Sequence, residues 1–366
     1  MKFIPILIFA AFIAGGMFSS CKKHTTEPPQ DTTTHPCDTC NKPCDTCNLN
    51  KDSLSHAYIW KEYINAIPLD NDMRLSSVWV FGSNDMIIVG DRLWYFDGTT
   101  FSPIDAVNNT YHTSMNGGLS GSNIFAFSKS DYWLVSGSIA LHTSDGKYFD
   151  DNRKGAVNAC WGTSSNDMFF VGNGGHIFHY DGTTFVDMIS NTTKDLTSIW
   201  GTNHNNVWAC GANVSTGKTT ILHFDGSSWQ EDPLALTHSA QHAGLFATWV
   251  VDSAGTPFVA TSGSNVYRKT GTGGWRNDTT LVPNNLGGDN FVGIYLLSGN
   301  TANDFMGAGS WGWVGHWNGK TWKKYDELYN YGIADFTPQA LSVKGNTACV
   351  VGIKSGQKWM AVGTRK

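Results

Sequence analysis

The sequence predicts an all-β fold, a seven-bladed β-propeller of four-stranded antiparallel blades over residues 57–366. Three observations predict it. The stretch 157–191, V-N-A-C-W-G-T-S-S-N-D-M-F-F-V-G-N-G-G-H-I-F-H-Y-D-G-T-T-F-V-D-M-I-S-N, holds four short apolar runs, each closed by a turn signal. It recurs around anchors at Trp79, Phe125, Trp161, Trp200, Trp249 and Tyr295, with a weaker copy at Leu341, spaced 36 to 49 residues apart. That is the period of a propeller blade. The composition agrees: 366 residues carry 40 Gly, 15 Trp and 20 Phe but only 15% charged residues, against roughly 25% in an average soluble protein. Many short strands joined by tight turns need glycine and aromatics more than charge.

Taken in order, residues 1–21 have the form of an export signal: Lys2, an apolar run over 3–18, then F-S-S-C. The run is short for a membrane span. Small residues before Cys21 resemble a bacterial lipobox, which implies cleavage there and lipidation of Cys21. Residues 22–56 form a Thr/Pro-rich tether with nothing to build a core. It contains a doubled P-C-D-T-C-N, placing Cys37, Cys40, Cys44 and Cys47 close together. Two local disulfides or a crosslinked spacer, in an oxidising envelope, are the favoured reading, with three connectivities open. A four-thiolate zinc set is the alternative, weakened by the short gap between pairs.

Within each unit the first strand ends near the anchor and the second reads D-M-I-I-V-G, D-M-F-F-V-G or N-V-W-A-C-G. The third runs into F-D-G, Y-D-G or W-N-G, and the fourth follows at once. Asp-Gly and Asn-Gly are strong hairpin signals because both residues accept positive φ. The last unit lacks a fourth strand, but I-W-K-E-Y at 59–63 matches T-W-K-K-Y at 321–325. An N-terminal strand at about 57–64 is therefore expected to complete the last blade, leaving no open edge.

The W-G-T-x-x-N-D and H-Y-D-G-T-T-W pattern resembles that of bacterial propellers related to the Asp-box (BNR-like) and WD-like groups. With the lipobox and tether, the chain looks like the propeller lipoproteins of the Bacteroidota. The resemblance implies fold and envelope location, and little about activity. A sialidase on such blades needs an arginine cluster. The six arginines here, Arg74, Arg92, Arg153, Arg268, Arg276 and Arg365, share no motif.

Repetition separates fold from function. His179, His223 and His316 share one slot, as do the turn residues Asp97, Asp181 and Asp225, so both sets are assigned to the blade. Cys160, Cys210 and Cys349 lie in apolar strands and are read as buried thiols. Trp79, Trp161 and Trp200 are expected between blades. The a–b and c–d turns are uniform, whereas the b–c and d–a loops carry the insertions: 108–121, 232–244, 276–290, 327–340 and A-G-S-W-G-W-V. Their aromatics and histidines, Tyr111, His112, His238, His242, Trp311, Trp313, Tyr329 and Tyr331, are the candidate ligand contacts.

The expected function is a non-enzymatic binding or scaffold module, monomeric and lipid-anchored at the outer membrane with a lean to the cell surface. It would engage glycan or protein through this loop face. A net charge of −5 without a basic stripe argues against nucleic acid. No cofactor or metal is called for, and no residue is assigned as catalytic. A polysaccharide hydrolase or lyase is the alternative, with Asp289, Asp326, Glu327 and His112 as loosely placed candidates. A purely structural assembly component is the third reading.

Overall fold

A computed structural model describes residues 55–67, 75–90, 92–104, 123–137, 139–143, 148–150, 156–212, 219–232, 245–251, 256–261, 266–269, 274–277, 294–328 and 336–366. Among them the strands form seven four-stranded antiparallel sheets. In chain order, one sheet holds β2 (Ser77–Gly82), β3 (Asp85–Val89), β4 (Leu93–Phe96) and β5 (Phe101–Pro103). The next holds β6 (Asn123–Ser128), β7 (Asp131–Ser136), β8 (Ile139–His142) and β9 (Tyr148–Asp150). Then come β10 (Val157–Ser164), β11 (Asp167–Gly172), β12 (Ile177–Tyr180) and β13 (Phe185–Met188). The fourth comprises β14 (Asp195–Asn203), β15 (Asn206–Ala212), β16 (Thr219–Phe224) and β17 (Trp229–Glu231). The fifth comprises β18 (Leu245–Val251), β19 (Thr256–Thr261), β20 (Val266–Lys269) and β21 (Trp275–Asn277). The sixth comprises β22 (Ile294–Thr301), β23 (Asp304–Gly309), β24 (Val314–Trp317) and β25 (Trp322–Lys324). The last joins β26 (Thr337–Lys344), β27 (Thr347–Lys354) and β28 (Gln357–Arg365) to β1 (Tyr58–Ile64).

The first strands β2, β6, β10, β14, β18, β22 and β26 adjoin one another in cyclic order, and β26 returns to β2. This is the arrangement of a β-propeller, with each sheet a blade. Second strands such as β3 and β11 are apolar after their opening aspartate because both of their faces are covered by neighbouring blades; Met168 to Gly172 are all buried. Cores therefore lie between blades. Trp133 of β7 meets Phe170 and Tyr180 of the next blade at 5.1 and 5.2 Å, and Phe169 meets Phe224 at 5.5 Å. Cys160, Cys210 and Cys349 are buried and take part in no disulfide. Burial pushes the thiol pKa of Cys160 and Cys349 well up.

The c–d turns repeat one device. Asp97 Oδ1 accepts the backbone N–H of Thr99 and Thr100 at 2.8 and 2.7 Å, and Asp181 and Asp225 do the same. Asn318 holds Lys320 and Thr321 likewise. The glycines that follow sit at φ between 85° and 95°, as such turns require. Hydrogen bonds to the ionised form hold the Asp225 carboxyl down at about 2: first from the Ser227 hydroxyl, then from the Ser228 and Ser227 amides.

β1 pairs with β28 along its whole length, from Tyr58↔Arg365 to Ile64↔Trp359. Glu62 accepts from Lys354 Nζ at 2.6 Å and Trp359 Nε1 at 2.5 Å. Arg365 reaches the preceding blade and forks onto Asp304 at 2.7 and 2.8 Å. Among the described residues no helix is long and apolar enough to cross a membrane.

Candidate binding site

The blades enclose a channel lined by their first strands, with a cavity of about 350 Å³. One position recurs in every blade, the one paired with the second residue after the start of the b strand, and at Trp79, Phe125, Trp200, Ser298 and Ser342 it lines the cavity. Trp79, Phe125, Trp161, Trp200 and Trp249 occupy this slot, opposite Ile87, Trp133, Phe169, Trp208 and Phe258. In the last two blades the slot holds Ser298 and Ser342, opposite Met306 and Cys349. This corrects the anchors Tyr295 and Leu341, which precede the slot by three residues and one. The signal that finds it is distance from the turn: Ser298 stands six residues before Asp304, as Trp161 does before Asp167.

The slot residue abuts the next blade just after that blade's own slot. The Trp161 ring lies on Gly201, where a Cβ would approach it to 2.6 Å. In the serine blades a hydroxyl substitutes for the ring: Val343 N–H donates to Ser298 Oγ at 2.9 Å and Val80 N–H to Ser342 Oγ at 3.1 Å. The channel is therefore lopsided. On one side Phe125 stands 4.8 Å from Trp79 and 5.8 Å from Trp200, ring to ring. On the other, small hydroxyl side chains leave space. Lys344 is the one charged residue among the described residues of the lining.

The loop face gives a second feature. Between β23 and β24 the chain makes a 3-10 turn over Ser310–Gly312. Trp311 sits there at φ 58°, ψ 24°, half-buried. A bulky residue in the left-handed region is a genuine outlier. The corresponding turn of the regular blade, Asn173–Gly175, puts Gly174 at φ 65°, ψ 19°. Both turns are held by the blade that follows. Gly174 N–H donates to Asp195 Oδ1 at 2.7 Å, and Phe336 packs against Gly312.

Trp313 is a correction. It is 0% exposed, packed among Val266, Ile294, Leu297 and Phe305, with Trp322 at 5.5 Å. It cannot touch a ligand, because the 3-10 turn sends the two tryptophans to different surroundings. Tyr111, His112, His238, His242, Tyr329 and Tyr331 lie outside the described residues, as do Cys21, Cys37, Cys40, Cys44, Cys47 and Asp289. Of the acids considered for catalysis, Asp326 and Glu327 are exposed and neither lines the cavity; Asp326 pairs with Lys324 at 2.7 Å.

The recurrent histidines are structural. Each donates its Nε2–H to an oxygen of the residue that starts its b strand: His179 to Asp167 at 2.6 Å, His223 to Asn206 at 2.8 Å and His316 to Asp304 at 2.8 Å. His142, in the same register opposite Trp133, bonds Asp131 at 2.8 Å. Its weaker surrounding motif, L-H-T, hid it in the sequence. Asp304 is 4% exposed. Burial alone would raise its pKa, but hydrogen bonds from His316, Arg365 and Asn300 prevail and hold it at about 2.

No family model matches the chain, and no curated protein matches it. Solved structures do. The chain is similar to YCF48 bound to a D1 peptide, with a TM-score of 0.59 and 14% identity over 84% of this chain and 95% of that one. It is also similar to YCF48 from Cyanidioschyzon merolae, with a TM-score of 0.58 and 15% identity over 82% and 98%. At such identities the likeness concerns the fold, and a β-propeller is what it shows.

Proposed function

We propose that this chain is a seven-bladed propeller, sealed by its N-terminal strand, that works as a non-enzymatic binding or scaffold module. It grips a protein segment on the b–c and d–a loop face, over the mouth of the lopsided channel. The observation that carries this reading is Trp311. A left-handed conformation costs a bulky residue about 1–2 kcal/mol, and the regular blade avoids that cost with Gly174. A large, partly exposed ring kept in this conformation on a rigid turn suits a contact residue better than a packing residue. Seven sheets in cyclic contact and the full-length β1–β28 register support the sealed ring. A peptide-bound propeller of similar fold offers a precedent for the class of partner. Lipidation at Cys21 and the 22–56 tether would hold the ring at the outer membrane.

The test probes the full chain on peptide and glycan arrays in parallel. Binding to extended peptides that Trp311→Ala abolishes, with the melting temperature kept within a few degrees, is the expected result. Binding confined to glycans, or peptide binding indifferent to Trp311→Ala, would sink the protein-partner reading. Polysaccharide turnover by the pure chain would replace it with the enzyme alternative.

A further inference from the structure

On the a–b turn face, away from the proposed binding face, Asp167, His179 and His204 bring one ligand atom each within 4.8 Å of one another. His179 Nε2 is 2.6 Å and His204 Nδ1 2.8 Å from the same oxygen, Asp167 Oδ1. The other oxygen, Oδ2, is engaged by the Thr163 hydroxyl. Phe169 flanks both imidazoles, at 4.5 and 5.3 Å. The carboxylate is therefore fixed with one oxygen towards two oriented rings from two adjacent blades.

Comparison between blades shows what is unusual. An Asp–His pair belongs to the fold, as Asp131–His142 and Asp304–His316 show. Where a side chain from the following blade reaches the carboxylate that starts a b strand, elsewhere it is a permanent cation. Lys129 bonds Asp85 at 3.1 Å, and Arg365 forks onto Asp304. Lys129 opens the a–b turn of its blade and reaches back to the preceding one. His204 opens its own turn and reaches back to Asp167 in the same way. Ser83, Ser165, Ala302 and Gly345 hold that position in other blades. So at Asp167 alone, among the described residues, an imidazole reaches back where another blade supplies a lysine or an arginine.

We propose that Asp167, His179 and His204 form a divalent transition-metal site of the zinc class that fastens β10–β13 to β14–β17. Two imidazole nitrogens and one carboxylate oxygen favour zinc-like ions over calcium or magnesium. Tetrahedral zinc with bonds of about 2.0–2.1 Å spaces its ligands by about 3.3 Å. The two N–O separations need to open by under about 1 Å, a small side-chain rotation. With side-chain exposures of 20% for Asp167, 16% for His179 and 46% for His204, the fourth position faces solvent and takes water. Thr163 is the outer partner that orients the carboxylate.

The test counts Zn(II), added as the chloride at neutral pH, bound to the full chain and to His204→Lys. The substitution copies the Lys129–Asp85 pair, so the variant should melt at or above the metal-free wild type. Any zinc taken up at Cys37–Cys47 is common to both chains and cancels. The expected result is one equivalent more in the wild type, together with a zinc-dependent rise in melting temperature that the variant lacks. Equal stoichiometry and equal melting shifts would overturn the proposal. Should His204→Lys fail to fold, His204→Asn is read by the same two measurements.

Discussion

The two ends of the blades obey different rules. At the a–b and c–d end, each feature has copies: an Asx turn, an Asp or Asn that receives a histidine, a group reaching back to the preceding blade. At the b–c and d–a end, the corresponding turns use Gly174 in one blade and Trp311 in another. Repetition marks what the fold requires. A departure from repetition at either end, Trp311 at one and His204 at the other, marks a residue free to do something else. This comparison can be broken wherever a repeated residue proves dispensable for stability, or a singular one proves essential to it.

The largest effects should come from repeated or buried groups. We predict that Arg365→Ala costs about 3–5 kcal/mol, because it strands the nearly buried Asp304 carboxylate without its cation. Adding Asp304→Asn should return much of that loss. Denaturant unfolding of the full chain measures both, and a single-variant cost under 1 kcal/mol would show that the fork is ornamental. Trp313→Ala should cost a similar amount, about 3–5 kcal/mol, by opening a cavity under the Trp311 turn.

The pH dependence sharpens the same contrast near the joint of β1. His56 Nδ1 lies 3.0 Å from His316 Nδ1, and its Nε2 is 3.1 Å from Thr321 Oγ1. Burial first, then the neighbouring His316, Lys323 and Arg365, lower its pKa to about 4. The unfolded chain, at about 6.5, therefore takes up the proton first. The contribution of neutral His56 is complete above about pH 6.5 and is lost as pH falls towards 4. We predict that His56→Gln makes the stability profile shallower in that window by close to one proton. An unchanged slope would mean that His56 does not titrate with folding.

Ser342→Ala should cost about 1 kcal/mol, the worth of one interblade hydrogen bond to Val80 N–H. Thermal melts resolve this; a neutral outcome would mean water replaces the hydroxyl inside the channel.

How much the sequence disclosed follows the same division. The turn aspartates, the slot histidines and the buried thiols could be read because copies of one motif check each other. The strand β1 could be read because Trp60 and Tyr63 match Trp322 and Tyr325. Ser298 and Ser342 could not be found by looking for aromatics, although counting back from Asp304 reaches the first. The burial of Trp313 is not legible in the sequence, because residues 311 and 313 would share a face of an extended chain. A positive φ at Trp311 and again at Gly312 breaks that alternation. His204 became visible only when tertiary contact showed which acid its turn approaches.

The smallest stability effect and the most informative one belong to Trp311→Gly. Glycine takes φ 58° without penalty, so the substitution removes about 1–2 kcal/mol of backbone cost. It also removes the packing of a half-buried ring, a loss of similar size. We predict a net change within about 1 kcal/mol of zero, in contrast to Trp313→Ala two residues away. Trp311→Ala loses the ring without relieving the backbone and should be the less stable of the pair. Partner binding should fall equally in both, because both lack the ring. If Trp311→Gly unfolds the blade as Trp313→Ala does, the ring is a packing residue and the division between repeated and singular positions fails at its clearest point. If it stabilises the chain and abolishes binding, the strain at Trp311 is maintained for the partner.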